Sequence, residues 1–202
     1  MTAWACRSGR SQRVAAFAWL LCASVLAGCG TSPRPRDGPP LRPPSGLMNL
    51  PNADPRIEPL RVGGPNKPYE VLGQRHTPFT GDVPWAEAGG ASWYGTAFHG
   101  KPTSSGELYD MFAMTAAHKT LPIPSFARVR NPANGREVIV RVNDRGPFVA
   151  GRIVDLSYTA ALKLGVLNGV APVQLFRLTF DDIRSGRWRL NADDPVPAAL
   201  LP

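Results

Sequence analysis

The chain is poor in the residues that most enzyme chemistries and metal sites require. Its three cysteines, Cys6, Cys22 and Cys29, all fall in the first 29 of 202 residues. Nothing downstream can form a disulfide, act as a thiol nucleophile or hold zinc through thiolates. The three histidines, His76, His99 and His118, are scattered, with no His-x-His pair, which leaves a metal site unsupported. No Gly-x-Ser-x-Gly elbow offers a serine nucleophile, and no phosphate-cradling glycine loop follows a strand. Neither a metal nor a cofactor is expected. The apolar run Val14 to Leu26 has 13 residues, short of the roughly 20 that a bilayer-spanning helix needs. Acids are also scarce, 15 against 23 Lys and Arg, for a net charge of +8.

What is present at the start is a leader. Arg7, Arg10 and Arg13 precede the apolar run, and small residues follow it, the layout of a secretory signal peptide over residues 1–28. The run ends in Leu26-Ala27-Gly28-Cys29, which resembles the lipobox of bacterial lipoproteins. That resemblance implies cleavage before Cys29, lipid on its sulfur and an acylated amino group. Several acyl chains anchor stably where a single chain is marginal. Gly30 in place of an aspartate implies, by the same resemblance, the outer membrane, facing the periplasm. Loss of the leader's three arginines lowers +8 to +5. A pI near 10 often points to nucleic acid, but an exported chain meets the anionic polymers of the envelope instead. No nucleic-acid partner is expected.

Composition divides the rest. Residues 29–86 are rich in proline and glycine, as in "TSPRPRDGPPLRPPSG", and read as a disordered tether behind the lipidated cysteine. "KPYEVLGQRHTPF" (67–79) either packs as an arm or continues the tether. Residues 87–180 carry short apolar alternations separated by Gly, Asn and Pro, the texture of a small β domain. The strand candidates are 91–94, 112–117, 126–131, 137–142 and 173–180. In "REVIVRV" Val138, Val140 and Val142 share one face, and Asn134-Gly135 marks a hairpin turn. One helix is expected over 157–165, with Ser157 at its start and Gly165 at its end. The 22 residues 181–202 form a short tail, frayed or draped on the surface. These features predict a small closed β-barrel, with no sign of an oligomer, so a monomer.

Four polar residues stand at the ends of strand candidates: Glu107 in "TSSGELYD", His118 in "AMTAAHKTLP", Asp144 in "VRVNDRGPF" and Asp155 in "GRIVDLS". Each has a local reading. Asp144 before Gly-Pro can be a turn former, Glu107 a solvated carboxylate, His118 a structural histidine and Asp155 a helix-start acid. Taken together on one barrel rim, carboxylates with one histidine on an exported domain point toward carbohydrate.

The stretches "ASWYGTAFHGKPTSSGELYDMFAMTAAHKTLP" (91–122) and "VRVNDRGPFVAGRIVDLSYTAA" (140–161) resemble the rare lipoprotein A family of peptidoglycan lytic transglycosylases. The resemblance implies a mainly β fold, a six-stranded double-psi β-barrel with one or two short helices. It also implies glycan strands of peptidoglycan as partner, and cleavage between N-acetylmuramic acid and N-acetylglucosamine that leaves a 1,6-anhydro end. Carried over by position, Asp144 is the catalytic acid and base, assisted by Glu107 and His118, while Tyr94, Asn143 and Asp155 contact substrate. Glu107 is either a like-charged neighbour of Asp144 or a group that positions the sugar. Trp93, Tyr94 and Phe148 offer flat faces to sugars or belong to the core. Many members also carry a C-terminal peptidoglycan-binding SPOR domain, which the short tail does not accommodate, so the resemblance leaves septal recruitment open. The competing reading is a non-catalytic, expansin-like module that grips the wall.

Overall fold

The computed structural model describes residues 37–189; the expected leader, Cys29 and residues 190–202 lie outside them. The short strands β1 (Tyr69–Val71) and β2 (Gln74–His76) form a hairpin. Its two turn residues, Leu72 and Gly73, both have positive φ, as a tight turn matched to the twist of its strands demands. Six further strands close a barrel: β3 (Ala86–Trp93), β4 (Thr115–His118), β5 (Ser125–Arg130), β6 (Glu137–Asp144), β7 (Arg152–Leu156) and β8 (Ala171–Leu178). Their order around the barrel is β3-β7-β4-β6-β5-β8. The β3–β7 and β4–β6 pairs are parallel and the others antiparallel. Parallel neighbours need crossover connections, so loops return over the barrel ends and gather there.

Period-two alternation puts Val138, Val140 and Val142 of β6 inside, beside Val129, Val154, Leu156 and Leu175. Ile139, on the other face, packs with Phe126 and Leu178. The helix α1 (Tyr158–Leu164) begins at Ser157, whose hydroxyl accepts from the Ala160 N–H, and ends at Gly165 in the left-handed conformation.

Several expectations change. Strand β7 was not among the strand candidates because five residues, Arg-Ile-Val-Asp-Leu, give too little alternation to stand out. Strand β3 starts at Ala86 rather than 91, through Gly89 and Gly90. Glycine weakens a strand signal, yet a Cβ at Gly89 would lie 2.5 Å from Ile153 Cγ2 of β7. Strand β4 starts at 115 rather than 112, because Asp110 Oδ1 accepts from the Phe112 N–H and folds that stretch into a turn. The tail does not begin frayed: α2 (Phe180–Ser185) is fixed by a reciprocal capping box between Thr179 and Asp182.

The largest correction concerns the tether. From Asp37 to Trp85 the chain lies against the barrel instead of extending away from it. Leu47 is buried with Tyr94, Tyr109 and Tyr158. The Ala53 N–H donates to Ile139 O at 3.0 Å, and the Phe79 N–H to Thr120 O at 2.8 Å. Buried Asn66 donates to Ile123 O and accepts from the Ile123 N–H. Outside the β1–β2 hairpin this proline-rich segment pairs little with itself, but its remaining polar groups are satisfied by another surface. That route is invisible to composition.

Candidate active site

Asp144 ends β6. Its Oδ1 accepts from the Ser104 N–H at 2.8 Å, the Ser104 hydroxyl at 2.7 Å and the Arg145 N–H at 2.8 Å. Among the described residues no donor is bonded to Oδ2. One carboxyl oxygen is therefore fixed and the other is open, on a half-buried side chain.

The loop that supplies Ser104 also supplies Glu107. It is docked on β6 by the Ser105 N–H, which donates to Asn143 O at 3.1 Å. Glu107 Oε2 accepts from Arg141 Nη1 at 2.6 Å and Asn143 Nδ2 at 3.0 Å. The Arg141 bond, with lesser help from Asn143, holds its carboxyl below the usual range, so Glu107 is an anion at neutral pH. The Glu107 side chain remains 40% exposed. Arg141 in turn is gripped by both oxygens of Glu58, at 2.9 and 2.7 Å.

His118 is not brought to this group by its ring. The register of β4 sets Ala117 opposite Asp144, so the next side chain points to the opposite face. The ring is 1% exposed. Its Nδ1 accepts from the N–H groups of Thr120 and Leu121, which leaves the proton on Nε2, 3.2 Å from Glu87 Oε1. Burial lowers its pKa against the pull of Glu87, so the ring is neutral. His118 reaches the site only through its carbonyl, which accepts from Arg145 Nη1 at 3.0 Å.

The three expected substrate contacts divide. Asn143 is buried and donates to Glu107, while its Oδ1 has no partner among the described residues. Asp155 is also in register with Ala117, from the other side. Its Oδ1 accepts from the Ser92 hydroxyl and its Oδ2 faces Arg152 at 3.4 Å. Burial raises its carboxyl above the ordinary range, despite Ser92 and Arg152. Tyr94 is 7% exposed, stacked on Tyr109 at 3.9 Å, with its hydroxyl unpartnered among the described residues. Burial, and then the neighbouring Tyr109, Asp144 and Asp155, raise the pKa of that phenol. It offers no open face to a sugar. Trp93 also belongs to the core, its indole N–H bonded to Leu167 O.

Residues absent from the sequence reading complete the site. Ser104 carries the contact to Asp144, and Arg145 is a half-buried brace. Its guanidinium donates to Pro65 O, His118 O, Leu121 O and Asn66 Oδ1. Burial lowers its pKa to about 10, against the opposing pull of Tyr69 and Asp144. The Ser-Ser-Gly before Glu107 was a usable signal for a short polar loop. Glu58 and Arg141 are 83 residues apart, and no local pattern links them.

A family model described as lytic transglycolase matches residues 86–175. The chain is 47% identical over 170 residues to the endolytic peptidoglycan transglycosylase RlpA of Vibrio cholerae serotype O1, covering 82% of this chain and 64% of that protein. It is 58% identical over 121 residues to the protein of the same name from Neisseria meningitidis serogroup A, covering 59% of this chain and 50% of that one. The chain thus spans between half and two thirds of the length of these relatives. A crystal structure of an apo expansin from Clavibacter michiganensis overlays with TM-score 0.35 and 22% identity, over 46% of this chain and 50% of that one. The barrel over residues 86–175, with its closed six strands and its two parallel pairs, belongs to the RlpA-like lytic transglycolase family of double-psi β-barrels.

Proposed function

We propose that this chain is an endolytic lytic transglycosylase that cuts peptidoglycan glycan strands between N-acetylmuramic acid and N-acetylglucosamine. The observation that carries the reading is the divided state of Asp144, with Oδ1 held by three donors and Oδ2 open. Fixing one oxygen sets the plane of the carboxyl, which is the positioning that proton transfer requires. Relatives named endolytic peptidoglycan transglycosylase support the same reading.

In this mechanism Oδ2 gives its proton to the glycosidic oxygen as the bond to the anomeric carbon breaks. The 6-hydroxyl of the same muramyl residue attacks that carbon and closes the anhydro ring. Its proton passes to Asp144, which ends as it began. No protein nucleophile and no held water enter, unlike the two-carboxylate hydrolases. Glu107, already an anion paired with Arg141, orders the Thr103–Glu107 loop and stands ready to accept from a sugar hydroxyl. His118 supports the turn after β4 and, through its carbonyl, Arg145. The envelope placement belongs to the same proposal: lipid on Cys29 holds the chain to the outer membrane, facing the periplasm.

The test is product analysis by mass spectrometry after incubation with peptidoglycan. Wild type should release muropeptides one water lighter than their hydrolysed counterparts, and Asp144→Asn should lower that yield about 10²–10⁴-fold with the fold retained. Reducing ends would replace the mechanism by hydrolysis. Bound but uncut glycan would replace it by a wall-gripping module.

A further inference from the structure

We propose that the Gly64–Val71 segment, upstream of the family domain, builds a saccharide subsite next to Asp144, binding one hexosamine ring of the glycan against the surface that the Tyr69–Phe148 pair presents. The inference rests on the glycan reading above and extends it to residues outside the matched barrel. An open groove of about 370 Å³ lies between this segment and the loop after β6, within the roughly 300–1,000 Å³ of ligand sites. Pro65, Tyr69 and Val71 form one wall, while Ser104, Arg145 and Phe148 form the other.

Three observations point to a sugar of the same strand. First, the groove adjoins Asp144: Ser104 lines it and also donates twice to Asp144 Oδ1. A ring seated here belongs to the chain that presents its glycosidic oxygen at Oδ2. Second, the wall is aromatic. Tyr69 and Phe148 lie 6.1 Å apart edge to face, and His76 lies 5.2 Å from Tyr69 and 5.8 Å from Phe148. Tyr69 and Phe148 are half-buried, so part of each ring still faces the groove. Flat apolar surface beside polar hydroxyls suits a hexosamine, which has a C–H face and a polar edge. Third, the wall is rigid. Arg145 bonds Pro65 O and Asn66 Oδ1, and Asn66 is itself fixed to both backbone groups of Ile123. A subsite whose walls are fixed before binding loses little to ordering.

The experiment uses the full chain in an Asp144→Asn background, titrated with soluble, uncut glycan strands. Tyr69→Ala and Phe148→Ala should each weaken binding about tenfold. Tyr69→Phe, which keeps the ring and loses only the hydroxyl bond to Lys119 O, should bind as the parent does. Thermal unfolding of each variant checks that the segment is still in place. Parental affinity in both alanine variants would overturn the subsite. So would a Tyr69→Phe variant as weak as Tyr69→Ala, or no binding by the parent. The two proposals fail separately. Ring-dependent binding with no anhydro product from the Asp144 chain leaves the subsite standing and removes the reaction.

Discussion

Asp144 and Asp155 stand on either side of Ala117, each in register with it across strand β4. Residues directly opposite on neighbouring strands share a face of the sheet. The two carboxylates therefore flank Ala117, roughly 10 Å apart at the backbone. Their surroundings differ. Asp144 is held by donors from a surface loop, whereas Asp155, with its side chain 17% exposed, is tucked against Ser92.

That burial makes a pH prediction. The folded pKa of Asp155 is raised, so its contribution to stability is complete below the ordinary carboxylate range and is lost as pH rises through the folded value. Asp155→Asn removes this loss. The gain in Tm over wild type should be larger at pH 7 than at pH 3.5, and an equal gain at both would contradict the assignment.

Ser104→Ala isolates the clamp on Asp144. The variant keeps the N–H bond to Oδ1 and loses the hydroxyl bond. The hydroxyl bond helps to set the plane of the carboxyl, and misplacement of a reacting group costs rate, so kcat for anhydro product should fall about tenfold, with KM nearly unchanged. A rise in KM at constant kcat would make Ser104 a binding residue instead.

His118 predicts the opposite pH dependence from Asp155. Burial lowers its folded pKa, so the unfolded chain takes up the proton first, and stability falls as pH drops below about 6.5. His118→Asn should reduce the slope of Tm against pH between 7.5 and 5. An unchanged slope would show that other groups produce it.

Gly95→Ala tests the arm. A Cβ there would lie 2.1 Å from Gly38 O and 2.9 Å from Trp93 Cζ3. The neighbouring Asp37 carboxylate, which accepts from the N–H groups of Gly95 and Ala97, should be pushed off. We expect roughly 1–3 kcal/mol of destabilisation and faster proteolytic cleavage within residues 38–46. Wild-type cleavage rates would show that the contact is dispensable.

The barrel was legible where alternation is strong, as in Val138-Val140-Val142, and where caps are local, as at Ser157 and Gly165. Asp144, Glu107 and Asn143 were legible as a group because all three lie in stretches that resemble a known family. His118 shows the limit of that carry-over, since its presence in the motif says nothing about which face its ring occupies. Strand register decides that, and register is a long-range property. The arm was hidden for a related reason. A residue such as Glu58 carries no mark of its partner, Arg141, far along the chain.

A fragment trimmed to the family boundary at residue 86 would strip two guanidinium groups of part of their partners. Arg141 would lose both oxygens of Glu58 and keep only the half-exposed Glu107. Arg145 would lose Pro65 and Asn66 and, with the arm gone, would be uncovered beside the very carboxyl it flanks. The autonomous unit of this protein therefore begins upstream of its recognisable domain, near Asp37, and excised barrels would understate its heat resistance.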